Sequence, residues 1–210
     1  MTTSAAPRRY GGKSAEERRA ERRETLLAVG QEIWQEQGWA AVTMRGVCAR
    51  AGLTDRYFYE SFADRDALLG AIFDRLRDRM LERMGAAITA VQHEPPLVHI
   101  RAAMGAILHD LTDDAVHAQI LFGDHGGSAV LEQRRRDAIL VATEFLIALA
   151  QPFLADTVDL DSLRIHTLLG IGGFVEVVLA WHNGTLDVPL DDLLSELDDV
   201  AATLAARFLG

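Results

Sequence analysis

A single cysteine, Cys48, stands in a chain of 210 residues, so no intrachain disulfide can form and a reducing compartment is expected. Aromatic residues reach only 7%. The apolar–polar alternation that marks strands is almost absent, while Ala, Leu, Glu and Arg dominate, so an all-α fold is expected. The longest apolar runs, 138–150 and 167–181, carry Glu144 and Glu176. They are expected to be buried helices, too short and too charged to span a bilayer, and no membrane partner is expected. The opening stretch MTTSAAPRRYGGKSAEERR has no apolar segment of the kind a secretory signal needs, which points to the cytoplasm. Catalytic signatures are missing too. There is no nucleophile elbow, no Gly-rich phosphate loop after a strand, no HExxH and no paired Cys. No enzyme, no cofactor and no resident metal are expected.

What is present begins with charge. The net charge is −10, which argues against a protein that coats nucleic acid indiscriminately. Its distribution is uneven: residues 1–23 hold seven Lys or Arg against three Glu, whereas 81–210 hold seven Arg against nineteen acids. A basic front on an acidic body suits a modular DNA binder.

Residues 1–13 read as a flexible arm, in which Arg8 and Arg9 are placed to meet a phosphate or a minor groove. Ser14 and Glu17 form a capping-box pattern that starts a helix running through Gln37, with Leu26, Val29, Gly30, Ile33 and Trp34 on its inner stripe. Thr43 is an N-cap candidate, and Met44, Val47 and Cys48 then recur at i, i+3, i+4 up to about Ala51. Gly52 stands where a helix ends in a left-handed residue. Thr54 caps a second helix carrying Phe58 and Phe62 inward, with Asp55, Arg56, Tyr57 and Tyr59 outward. Two short helices around a Gly turn make a helix-turn-helix, with residues 14–62 as its domain. Asp64 caps the next helix. Further helical periods follow from Leu97, Ala115, Ser128, Asp161 and Leu190, giving about nine helices, with 63–210 as a larger second domain.

Thr43-x-Arg45, Ala51-Gly52-Leu53-Thr54 and Phe58-Tyr59-x-x-Phe62 together resemble the DNA-binding signature of the tetracycline-repressor (TetR) family of bacterial regulators. The resemblance covers about Leu26 to Leu69. Tyr57 stands where a small residue is common, and Ser61 where His is common. The resemblance implies a homodimer on a double-stranded DNA operator, a repressor released by a small-molecule effector, and a helix from Asp64 joining DNA domain to regulatory body.

The DNA-facing set is Thr43, Arg45, Thr54, Arg56, Tyr57, Tyr59 and Arg65. Thr hydroxyls at helix starts suit phosphate oxygens, and Arg56 has the fork that reads guanine O6 and N7. Arg101, Met104, Phe145, Phe174 and Glu176 lie on helices that the family arranges around a ligand cavity. Glu176 is the sharpest of these, since a carboxylate in so apolar a helix needs a partner: a ligand cation, Arg164, Arg101 or solvent. The last two helices are more apolar than one core needs, and their dimer contacts are expected at Gly172, Val175, Leu179, Leu193, Leu197, Val200 and Leu204. Two rival readings remain. Asp110, Asp113, Asp114 and His117 sit at near-helical spacing and could mark a metal-binding all-α enzyme, although a solvated helix junction explains them more simply. Alternatively, the front could bind protein as a helical adaptor.

Overall fold

The computed structural model describes residues 14–123, 125–155 and 157–208, excepting the side chains of Ala115 and Val116. The arm with Arg8 and Arg9 lies outside the described residues. Nine α-helices and no strand occur among the described residues: α1 (Ala15–Gln37), α2 (Met44–Ala51), α3 (Asp55–Tyr59), α4 (Arg65–Ala90), α5 (Pro96–Asp113), α6 (Ala115–Leu121), α7 (Ala129–Ala150), α8 (Leu160–His182) and α9 (Leu190–Ala205). The all-α expectation holds. The chain divides into two compact units, Met1–Phe73 and Asp74–Gly210.

In the first unit the helix ends follow their local chemistry. Ser14 Oγ accepts from the Glu17 N–H at 3.0 Å while Glu17 reaches back to the Ser14 N–H, so two orphan donors of α1 are satisfied at once. Thr43 Oγ1 accepts from Gly46 N–H at 3.1 Å and starts α2. Gly52 ends α2 at φ 64°, ψ 28°, the left-handed conformation that a Cβ disfavours. Thr54 occupies the N-cap of α3, but its side chain makes no capping bond. Asp64 Oδ1 accepts from Ala67 N–H at 2.7 Å and opens α4.

The core of this unit joins Leu26, Ile33 and Trp34 of α1 to Val47 and Cys48 of α2, Phe58 and Phe62, and Leu68, Leu69 and Ile72 from the first turns of α4, all buried. Gly30 lies at the contact of α1 with α4. A Cβ there would lie 2.9 Å from Ile72 Cδ1, so the end of the Ile72 side chain would have to shift to admit one. On the surface Arg50 of α2 forks onto Glu36 of α1 at 2.6 and 2.5 Å. That hydrogen bond holds the Glu36 carboxyl below the usual carboxylate range.

In the second unit α7 packs on α8, α5 on α9 and on α6, and α8 on α9. Leu108, Leu111, Ile120, Leu131, Val178 and Leu193 are among its buried residues. Here α8 departs from expectation. It is 23 residues long, and its most apolar 18-residue stretch has mean hydropathy 1.6, yet only 17% of that stretch is buried within the single chain. By length and composition it could cross a membrane, so it is neither the short nor the buried helix that the apolar run suggests. Leu160, Ile165 and Leu169 stand exposed along it, with Val200 exposed on α9.

Candidate nucleic-acid interface

The second motif helix, α3, is a five-residue turn held from below. Phe58 is buried, packs edge-on to Tyr59 with ring centroids 5.8 Å apart, and meets Phe62 at 5.7 Å. With Phe58 fixed inward, the helical period turns its neighbours outward. Arg56 is 84% exposed and Tyr59 59% exposed. Thr43, Arg45, Thr54 and Asp55 are also exposed. Tyr57 is half-buried because the Arg22 guanidinium of α1 lies 4.3 Å over its ring. The outward set expected from the sequence is therefore accessible on α2 and α3, which pack against each other. Thr43 keeps a hydroxyl proton to donate, since its oxygen lone pair serves the cap.

Arg65 is differently placed. Its Nε donates to the Val42 carbonyl, and its Nη2 to those of Trp39 at 2.7 Å and Ala40 at 3.4 Å. The guanidinium also lies 5.4 Å from the centre of the Trp39 ring. It closes the 3-10 turn Trp39–Ala41 that leads into α2, so the phosphate contact expected of it competes with internal bonds. The α1 arginines are similarly engaged: Arg23 stacks 4.5 Å over Phe62, and Arg19 donates to the Glu60 carbonyl.

Glu60 is the residue that sequence reasoning left out. Its Oε1 accepts from Arg56 Nε at 3.1 Å and its Oε2 from Arg22 Nη2 at 3.4 Å. The i, i+4 spacing to Arg56 was the available signal. Cys48 is buried on the inner face of α2, and that burial pushes its thiol upward from the ordinary range, which disfavours the reactive thiolate.

The second-unit residues are scattered by comparison. Arg101 on α5 pairs with Asp198 of α9 at 3.0 Å. Glu176 is exposed on α8 and meets Arg135 of α7 at 3.5 Å, rather than Arg164 or Arg101, while Arg164 forks onto Glu144 at 3.1 and 3.2 Å. Phe145 is exposed, and Met104 and Phe174 are half-buried. An open groove of about 410 Å³ is lined by His125, Gly126, Glu132, Arg135, Arg136 and Ile139, none of them in the expected ligand set. Of the expected dimer contacts, Val175, Leu193 and Leu197 are buried inside the chain. Leu204 packs intrachain over Gly170, its Cδ1 being 3.3 Å from where a Cβ would stand. Gly172 and Leu179 are half-buried and Val200 is exposed.

The acidic cluster is a solvated junction only in part: Asp113 is exposed and Asp114 half-exposed, whereas Asp110 and His117 are buried. Asp110 is 2% exposed, its Oδ2 lies 2.7 Å from His117 Nδ1, and its Oδ1 accepts from Arg83 Nη1. Asp114 Oδ2 stands 3.4 Å from His117 Nε2. Among the described residues no group of three or more His, Cys, Asp or Glu is arranged to hold a metal ion.

Residues 26–72 match the family model described as bacterial regulatory proteins, tetR family. No curated protein matches the chain in sequence. Solved structures share its fold along most of its length. A transcriptional regulator from Rhodococcus sp. Rha1 is 18% identical, with TM-score 0.71, covering 89% of this chain and 97% of that one. A TetR-like transcriptional regulator from Rhodococcus sp. RHA1 is 17% identical, with TM-score 0.65 and coverages of 89% and 97%. SmeT, the repressor of the Stenotrophomonas maltophilia multidrug efflux pump SmeDEF, is 21% identical, with TM-score 0.64 and 90% of each chain covered.

Proposed function

From the match of residues 26–72 to the tetR family model, we propose that the chain is a TetR-family transcriptional regulator, a homodimeric repressor which leaves its operator when a small molecule binds its larger unit. The observation that carries the reading is α3: buried Phe58 and Phe62 anchor it, the left-handed turn at Gly52 sets it off from α2, and Arg56 and Tyr59 are left exposed. In a major groove Arg56 supplies bidentate donors for a guanine and Tyr59 a phenolic donor for a phosphate. Thr43 and Arg45 add phosphate contacts from the start of α2, and Thr54 and Tyr57 from α3. Two such helices related by a two-fold axis read half-sites about 34 Å apart, or a simple multiple of that.

The uncovered apolar residues of α8 and α9 supply the two-fold contact. Ile165 and Leu169 lie four apart on one face of α8, and Val200 joins them from α9. A second copy, rather than a bilayer, is the proposed cover, since the carboxylate of Glu176 interrupts the apolar surface of the helix. Work on chromosomal DNA places the protein in the cytoplasm, and binding alone performs its task, without a catalytic step.

The effector acts by differential affinity. A ligand that binds 74–210 better in a conformation with the wrong spacing of the two α3 helices lowers operator affinity by the same factor. The groove beside Arg135 and Arg136 is one concavity available to it. The experiment is fluorescence anisotropy of the ligand-free protein with the duplex upstream of its own gene, at modest salt. Specific binding over random duplex is expected, and it disappears when Arg56 and Tyr59 are both changed to Ala. Equal binding to both duplexes would sink the reading; specific binding that survives the double substitution would move the reading surface away from α3.

A further inference from the structure

Glu60 places a carboxylate where a phosphate-binding surface gains from having none. It follows α3 directly, is half-buried, and gathers three arginines: Arg56 Nε at 3.1 Å, Arg22 Nη2 at 3.4 Å, and Arg19 on its backbone carbonyl. Arg22 in turn stacks on Tyr57 at 4.3 Å. A negative charge here repels the DNA backbone whatever its sequence. It also does something for Arg56. A long, 84% exposed side chain loses rotamer freedom when it reads a base. Anchoring Nε fixes the plane of the guanidinium beforehand and leaves both Nη groups for the two acceptors of a guanine. We infer that Glu60 is the positioning residue for base reading by Arg56, weakening binding to DNA in general while sharpening discrimination at the base pair that Arg56 faces. The inference rests on the operator-binding reading above.

The wild-type protein first selects its operator from a pool of duplexes with a randomised centre. Anisotropy titrations then compare that operator, its single-base-pair variants and a random duplex, with a thermal melt of each protein variant alongside. Glu60→Ala is expected to lose roughly ten-fold in discrimination at one base pair per half-site, while binding the random duplex more tightly than wild type. Glu60→Gln keeps an oxygen acceptor for Nε and drops the charge, so it keeps the base preference and also tightens on the random duplex. Arg56→Ala erases the same preference, and adding Glu60→Ala to it changes that base pair no further.

The inference is overturned if Glu60→Ala alters operator and random duplex by one common factor, if Glu60→Gln loses the preference, or if the double variant shows the sum of both effects. Should Glu60→Ala fail to fold, Glu60→Gln decides: unchanged binding to the random duplex overturns the inference. A wild type that selects no sequence sinks the regulator reading itself, and does so before any variant is made.

Discussion

Arg65 illustrates how a residue's neighbours redefine it. A cation at the start of a helix following a DNA-reading motif suggests phosphate. In the folded chain its guanidinium instead donates to the carbonyls of Val42, Trp39 and Ala40, the Trp39 oxygen also accepting from the Val42 N–H within the 3-10 turn. Arg65→Ala therefore acts on stability as well as binding. Hydrogen bonds from a charged donor to partly buried carbonyls contribute about 2 kcal/mol in total after allowance for solvent. Chemical denaturation of the isolated variant reads that loss in the absence of DNA, and an unchanged midpoint would return Arg65 to a purely phosphate-facing role. Arg65→Lys restores only part of it, because a point ammonium cannot span two carbonyls as a fork does. Glu176, for which solvent was one of the partners left open, shows a related effect. Sequence reports the apolar company a residue keeps along the chain, not the side of the helix it faces, and Glu176 faces out beside Arg135.

Helices were the most legible level, because their ends carry local chemistry. The capping box at Ser14, the Thr43 cap and the Gly52 stop all read correctly from residue type and spacing. Gly52 makes the clearest test. Its φ of +64° strains any residue with a Cβ, although nothing lies within 4 Å of the Cβ position. Gly52→Ala should cost about 1 kcal/mol through backbone strain alone, and Gly52→Asn less. A urea titration measures both, and equal stability of all three proteins would contradict the assigned turn. Where apolar residues surround a helix, as in α8, periodicity carries no direction, and Val175, expected at the dimer contact, is buried within the single chain.

Links between helices were less visible still. Asp110 ties Arg83 of α4 and His117 of α6 to α5 from a fully buried position. Asp110→Ala leaves a buried imidazole N–H without an acceptor, while half-exposed Arg83 regains water, so a loss of about 2–3 kcal/mol is expected. Asp110→Asn should lose less, since its amide oxygen can still accept. Equal stability of Asp110→Ala and wild type in urea would remove the triad from the structural account.

For the whole molecule, the proposed two-fold assembly makes a prediction of its own. Leu169 is 64% exposed in the single chain, so Leu169→Glu leaves the monomer's own core untouched. Two glutamates brought to a two-fold contact repel and lose hydration together. The variant is expected to sediment as a folded monomer and to lose operator binding by well over ten-fold, as one half-site replaces two. A Leu169→Glu protein that remains dimeric would move the contact to another face. The contrast between a basic front and an acidic body is readable from charge alone. The partner surface was not, because it exists only once residues distant in sequence stand side by side.

That bare face on α8 also bears on the protein's life in the cell. Under the proposed two-fold contact, a newly made chain displays its stickiest helix until it finds a sibling, and the meeting rate falls with the square of its abundance. Scarce chains therefore spend longer open to proteases and chaperones, and turnover should slow as expression rises. Levels of such a regulator would respond to synthesis more steeply than in proportion.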